Sequence, residues 1–424
     1  MSLKKNILLM GFATAVRLVA GLLTFSVLAR LLGPEAFGEL MLWLSVAMLI
    51  SLLENFGLTT YVLRAVGANP ARYESLMNEG LTAKLLLATV ITTAVVIGSI
   101  VIDLKQLDVL LILLIGCIAD TFTEFINAGF RARDNYATET RISSIFSFIH
   151  TAMVCGAVIW HPTVIVAAMT YSVSRLLVLT VTAMSLSRLG APLRVVPFCD
   201  AIQILKDASN FAADFGMQSL FGQVDSVVLN HYLGPIAVGI YQAGMRLFLG
   251  GFQAGSILAN VFLPRASAHI HSMTLFHQTT RQLQIAFLSA GIAFGFGIAA
   301  FAVPIVSLIY GSNYADLAPL MPFFGLLFFL RFAAAGWGVV LTAAGQQSFR
   351  SNMGLIHWIA IAALAWVLVP SLASSGWLIS LCFGTLLLGC AYAIRARKLV
   401  AHFESTLIFT AVGCSCFIPF LRIQ

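Results

Sequence analysis

Leu32-Gly33-Pro34-Glu35-Ala36-Phe37-Gly38 returns later in the chain as Leu233-Gly234-Pro235-Ile236-Ala237-Val238-Gly239, and each copy sits between two long apolar runs. The shared letters have mechanical reasons. Glycine ends a helix in a left-handed conformation, and proline just beyond it forbids continuation. The small Ala and Gly that follow let the next helix begin close to its neighbour. The register persists past the turn, because Arg64-Ala65 stands at the same offset as Arg265-Ala266. The chain therefore reads as two related halves, 1–200 and 201–400, with an apolar tail at 401–424 and the boundary in the charged, Pro-bearing loop 188–207.

Composition sets the class. Of 424 residues 60% are hydrophobic and 10% charged, and the mean hydropathy is +0.96. A soluble chain of this length needs far more polar surface. The expected fold is an all-α polytopic membrane protein of about twelve spans, near residues 7–32, 37–63, 80–102, 107–130, 141–160, 163–187, 208–232, 236–263, 282–310, 317–344, 353–370 and 376–394. Each is long enough for a hydrocarbon core of about 30 Å. A short thirteenth run occupies 405–421. The run 7–32 is too long for a secretory signal and lacks a cleavage site, so it is expected to be a retained first span.

Loop charges orient these spans. Lys4 and Lys5 precede the first span. Arg64/Arg72, Arg131/Arg133/Arg141, Arg188/Arg194/Lys206, Arg265/Arg281, Arg350 and Arg395/Arg397/Lys398 fall in the even-numbered connections, whereas the odd ones carry little beyond Arg30 and Lys105. The positive-inside rule then places the N-terminus and the even loops in the cytoplasm, and both repeated turns on the opposite side. Six spans per half relate the halves by a pseudo-twofold along the membrane normal, an arrangement suited to alternating access. The net charge of +7 is dispersed among short loops, which argues against a nucleic-acid partner.

Charged groups at bilayer depth cost at least ~2.5 kcal/mol each on insertion scales, so they face a cavity or a partner. Arg17, Arg246 and Arg331 lie well inside spans 1, 8 and 10. They either pair with acids to fix packing or line a cationic cavity, and guanidinium forks match phosphate oxygens. Arg175 in span 6 is a weaker candidate, and Lys84 is expected to snorkel to the interface. Among the acids, Glu54 lies in span 2. Asp120 and Glu124, four residues apart, share a face of span 4. Asp214 and Asp225 are expected to share a face of span 7. These two pairs are candidates for coupling to protons or Na⁺, or else they are the ion-pair partners of the arginines.

Other chemistries are disfavoured. The seven cysteines lack metal or redox spacing. His269, His271 and His277 fit no helical metal site. Neither a phosphate-binding Gly-Lys-Ser/Thr loop nor a nucleophile elbow occurs, so no cofactor, metal or enzymatic activity is expected.

Taken together, Ala29-Arg30-Leu31-Leu32-Gly33-Pro34-Glu35-Ala36-Phe37-Gly38, Gln223-Val224-Asp225-Ser226-Val227-Val228-Leu229, Gly239-Ile240-Tyr241-Gln242-Ala243 and Asn260-Val261-Phe262-Leu263-Pro264-Arg265 carry a resemblance. The chain resembles the polysaccharide flippases (the Wzx or O-antigen transporter group) of the multidrug/oligosaccharidyl-lipid/polysaccharide exporter superfamily. That resemblance implies a bacterial inner-membrane protein that carries an undecaprenyl-pyrophosphate-linked oligosaccharide from the cytoplasmic to the outer leaflet. Its implied partners are this lipid-linked oligosaccharide, membrane lipids, and the polysaccharide polymerase and chain-length machinery. A multidrug or toxin antiporter of the same superfamily is the alternative, and would want an acidic, Arg-poor cavity. A membrane polymerase or ligase would want a large periplasmic loop, which the sequence lacks.

Overall fold

The computed structural model describes residues 3–102, 106–190, 193–220, 223–401 and 403–421, with side chains throughout these except at 3–10, 13, 100–102, 210–211, 213–220 and 254. Among the described residues there are helices and turns and no strand. The helices are α1 (Leu3–Asn55), α2 (Leu58–Ala68), α3 (Tyr73–Ile102), α4 (Leu107–Ala132), α5 (Tyr136–Trp160), α6 (Val164–Arg188), α7 (Phe198–Leu220), α8 (Val224–Leu233), α9 (Pro235–Ala268), α10 (Met273–Ala300), α11 (Ala302–Ile309), α12 (Met321–Ala343), α13 (Gln347–Ala396) and α14 (Phe403–Ser415). Among the described residues, ten helical stretches are long and apolar enough to cross a membrane. The fold is that of an all-α multi-pass membrane protein.

Two of those stretches are double crossings. α1 has 53 residues. Drawn straight it would extend about 80 Å, far beyond a bilayer core. Yet Arg17, Gly21 and Phe25 from its first half line one cavity with Asn55 from its end. A straight helix would hold Arg17 and Asn55 about 57 Å apart. The chain therefore doubles back at Gly33, whose φ of 75° and ψ of 171° are non-helical. Gly234 repeats this geometry, with φ 81° and ψ −179°, and Pro235 opens α9 immediately after it. The region is essentially reserved for glycine. The repeated proline thus starts the next helix, where its missing N–H is no loss, rather than merely barring continuation of the last. α13 doubles back likewise at Ala373 (φ 49°, ψ −136°). Its two ends meet: Arg395 Nε donates to Gln346 Oε1 at 2.7 Å, and the Tyr392 hydroxyl donates to the Arg350 carbonyl at 3.3 Å.

Two expected spans are broken at described residues. Span 2 is interrupted at Phe56 and Gly57, both at positive φ, between α1 and α2. Span 9 breaks at Phe301 between α10 and α11, ahead of Pro304. Span 7 contributes α7 and α8, and residues 221–222 between them lie outside those described. Asp214, Gln218, Gln223 and Asp225 interrupt its hydrophobic run. The tail does pack: the ring of buried Phe417 lies 6.0 Å from that of Phe329 on α12.

The chain divides into two compact units, Met1–Asn230 and His231–Gln424. In the first, α4 lies along α6, and α1 along α5. α4 and α6 approach closely at Gly116, where an added Cβ would fall 2.5 Å from Ser172 Oγ. In the second, the nearly all-buried α12 forms the centre. Its Phe324, Phe328 and Phe332 seat against Gly244, Gly251 and Gly255 of α9, where added Cβ atoms would lie 2.4, 2.8 and 3.4 Å from the rings. Small residues here let bulky ones interlock without a polar contact.

Candidate functional site

Within the first unit, α1, α4, α5 and α6 enclose a cavity of about 420 Å³. Its lining is polar for a space inside apolar helices. Arg17 enters from α1, Asp120, Glu124 and Asn127 from α4, Ser143, Ser147 and His150 from α5, and Ser174 and Arg175 from α6. The acids are tied. Arg175 Nη1 lies 3.0 Å from Asp120 Oδ1, and the Arg175 guanidinium stacks 5.0 Å from the Tyr171 ring. Glu124 Oε1 lies 2.7 Å from Arg131 Nη1, and Arg131 also grips Glu139 of α5 at 2.6 Å. Asp120 and Glu124 nevertheless keep 50% and 41% side-chain exposure, so each retains free lone pairs. Among the described residues no carboxylate forms an ion pair with Arg17, which stands exposed in the cavity.

His150 joins the polar network of the cavity wall: its Nδ1 lies 2.6 Å from Ser174 Oγ, and the Ser174 oxygen lies 2.6 Å from the Tyr171 carbonyl.

Behind the cavity wall lies a fully buried ion pair. Lys84 Nζ is 2.8 Å from Glu54 Oε1, both side chains are 0% exposed, and the Thr121 hydroxyl donates to Glu54 Oε2. The Phe122 ring centroid lies 5.2 Å from the Lys84 ammonium. Lys84 thus does not snorkel. It is sealed among α1, α3 and α4, because its partner Glu54 lies in the interior and not at the interface.

The remaining candidates lie elsewhere. Asp225, 4% exposed, accepts from the backbone N–H of Ser226 at 2.7 Å. Asp214 is on α7, but its side chain, like that of Gln218, lies outside those described, as do the side chains of Lys4 and Lys5 and the whole of Lys105. Residues 221–222, between Asp214 on α7 and Asp225 on α8, lie outside those described, and so does the expectation that the two acids share a face. Arg246 on α9 and Arg331 on α12 belong to the second unit, both partly buried. The Arg331 guanidinium sits 6.0 Å from the Phe252 ring centroid, and its buried Nε has no hydrogen-bond partner.

The family model for polysaccharide biosynthesis proteins matches residues 3–270. The chain belongs to that family. No curated protein matches. Among solved structures, the lipid II flippase MurJ in its inward closed conformation aligns with a TM-score of 0.74 at 11% identity, covering 98% of this chain and 98% of that one. An inward-facing multidrug resistance MATE family transporter of the MOP superfamily aligns at 0.69 with 15% identity, over 95% of this chain and 99% of that one. Its outward-facing counterpart aligns at 0.62 with 16% identity, over 95% of each. At such identities the likeness shows the fold.

For this polysaccharide-family chain, charge is divided unequally between the units. His231–Gln424 holds nine Lys and Arg against two acids, Asp316 and Glu404, so the net +7 resides there and the first unit is formally neutral. The structure brings Arg17, Asp120 and Glu124 into one cavity and places Arg246 and Arg331 in the cationic unit. Sequence reading passed over Ser143, Ser147 and His150. Their i, i+4, i+7 spacing in an otherwise apolar span was the signal, a polar stripe on one helix face.

Proposed function

We propose that this chain is a flippase that moves an undecaprenyl-pyrophosphate-linked oligosaccharide from the cytoplasmic to the periplasmic leaflet of a bacterial inner membrane. The single observation that carries the reading is Arg17, a membrane-depth cation without a carboxylate partner among the described residues, set in a polar cavity in a member of the polysaccharide biosynthesis family. Arg17, Arg246 and Arg331 are the substrate contacts in this reading. A pyrophosphate loses its hydration on entering the bilayer, and charge-assisted hydrogen bonds from the guanidinium groups of Arg246 and Arg331 replace it. The halves 1–200 and 201–400 move against one another, with the repeated Gly-Pro turns as fulcrums and the N-terminus in the cytoplasm. The prenyl tail stays in lipid, and a polymerase with its chain-length machinery receives the product outside. No step requires a covalent intermediate or a cofactor. Asp120, Glu124, Asp214 and Asp225 remain the acids through which an ion gradient would act.

One feature favours a second reading as a multidrug antiporter: Asp120 and Glu124 are half-exposed in the cavity, as a cationic drug would need. Each is already held by an arginine, which weighs against it. Deleting the gene separates the two. A flippase leaves a lipid-linked sugar accumulating on the cytoplasmic leaflet, whereas an antiporter leaves surface glycan unchanged and raises drug sensitivity. Arg246→Ala and Arg331→Ala should each impair glycan export while the protein still inserts. Normal export in both would remove those two residues from the substrate path.

A further inference from the structure

The cavity of the first unit is poorly matched to a pyrophosphate. Its lining sets two cations, Arg17 and Arg175, against two carboxylates, Asp120 and Glu124. A ligand carrying about two negative charges would meet no net attraction there, and would press against two half-exposed acids. What the walls offer instead is a mixture of donors and acceptors whose formal charges balance. Asp120 and Glu124 keep free lone pairs, and the imidazole of His150 adds another hydrogen-bonding group. Ser147 satisfies its own hydroxyl hydrogen on the Ser143 carbonyl at 2.7 Å, leaving its oxygen to accept. Phe146 contributes an apolar face to the same lining. Acceptors for several hydroxyls, a few donors and an aromatic face suit a sugar ring, and the volume lies within the range of small-molecule sites.

Resting on the flippase reading, we infer that this cavity is a saccharide subsite: it takes a sugar residue of the head group bearing at most one negative charge, while the pyrophosphate is left to the cationic second unit. Arg17 supplies the preference for an acidic sugar. Asp120 and Glu124, pinned by Arg175 and Arg131, take ring hydroxyls as donors. Their pinning matters, because a carboxylate already oriented accepts a hydrogen bond without first being ordered.

The test uses the purified full-length chain and three soluble probes: methyl glucuronide, methyl glucoside and inorganic pyrophosphate. Calorimetry should show both sugars binding, the glucuronide about tenfold more tightly, the worth of one charge-assisted hydrogen bond. Pyrophosphate should not compete with either. Arg17→Gln should bring the two sugars to equal affinity. Ser147→Leu fills the cavity without changing charge, and its side chain is at home in a membrane helix. It should abolish binding of both sugars and leave pyrophosphate binding as it was. The inference is overturned if pyrophosphate displaces the sugars, if Ser147→Leu leaves sugar binding intact, or if neither sugar binds the wild-type protein. The gene-deletion test stands apart from these outcomes. Cytoplasmic accumulation of a lipid-linked sugar together with a failed sugar-binding assay keeps the flippase and removes the subsite, whereas no accumulation removes the flippase itself.

Discussion

The two units solve the problem of polar groups inside a membrane in opposite ways. In the first, most charges hold one another, Arg17 excepted: Glu54 with Lys84 and Asp120 with Arg175 within the spans, and Glu124 and Glu139 with Arg131 at the end of α4. In the second, no ion pair forms within the unit among the described residues, and packing of phenylalanine against glycine takes over along α9 and α12. Polar groups there, including both side-chain atoms of Gln284, Arg331 Nε and Thr385 Oγ1, are buried without hydrogen-bond partners. The lesson is one of division of labour. A unit of balanced charge builds a neutral, hydrogen-bonding cavity. A unit with excess cation keeps most of it in the connections, with Arg246 and Arg331 inside the spans.

That contrast breaks most visibly at the buried pair. Lys84→Met leaves Glu54 as an uncompensated buried charge and should cost about 3–5 kcal/mol. Replacing both, as Glu54→Gln with Lys84→Met, should recover most of that loss, since the desolvation of two charges is removed together. Thermal unfolding in detergent reads the difference, and a double variant no better than the single would sink the assignment. Next comes packing in the second unit. Phe328→Ala, at a fully buried position, should destabilise by about 3 kcal/mol and should show no sensitivity to salt. The repeated turns should behave alike despite their different surroundings. Gly33→Ala and Gly234→Ala should each cost about 1–3 kcal/mol, because both glycines occupy the same Gly-only backbone region. A harmless substitution at either would show that the turns are not equivalent. Smallest is the exposed pair Arg72–Glu79 at 3.7 Å, where Arg72→Ala should change stability by less than about 1 kcal/mol, and less still in high salt.

Much of this architecture was legible in the chain. The duplication of Leu-Gly-Pro-x-Ala-x-Gly located both turns, and hydropathy located most of the helices that pack around them. The double crossings at Gly33 and the identical backbone at Gly234 follow from those letters. Two breaks were not legible. Phe56 at positive φ has no compositional mark, and the break at Phe301 falls inside an uninterrupted apolar run. The cavity was half visible. Depth along a helix marks Arg17, Asp120 and Glu124 as costly, but not which arginine answers which acid. Arg175 is distant in sequence from Asp120, and Lys84 from Glu54, so the pairings are set by how α4 packs with α6 and α1 with α3. Depth marks Arg17, Arg246 and Arg331 alike, whereas the acids that share a cavity with Arg17 are set by helix packing.

The central claim is that this chain carries a lipid-linked oligosaccharide across the bilayer. The most direct measurement reconstitutes the purified protein into vesicles containing an undecaprenyl-pyrophosphate-linked oligosaccharide and follows, with a glycosidase confined outside, how much of the sugar becomes cleavable over time. A flippase exposes the inner-leaflet pool, so cleavage proceeds beyond the fraction initially outside, and Arg17→Gln slows it. Cleavage that stops at the fraction reached in protein-free vesicles contradicts the account.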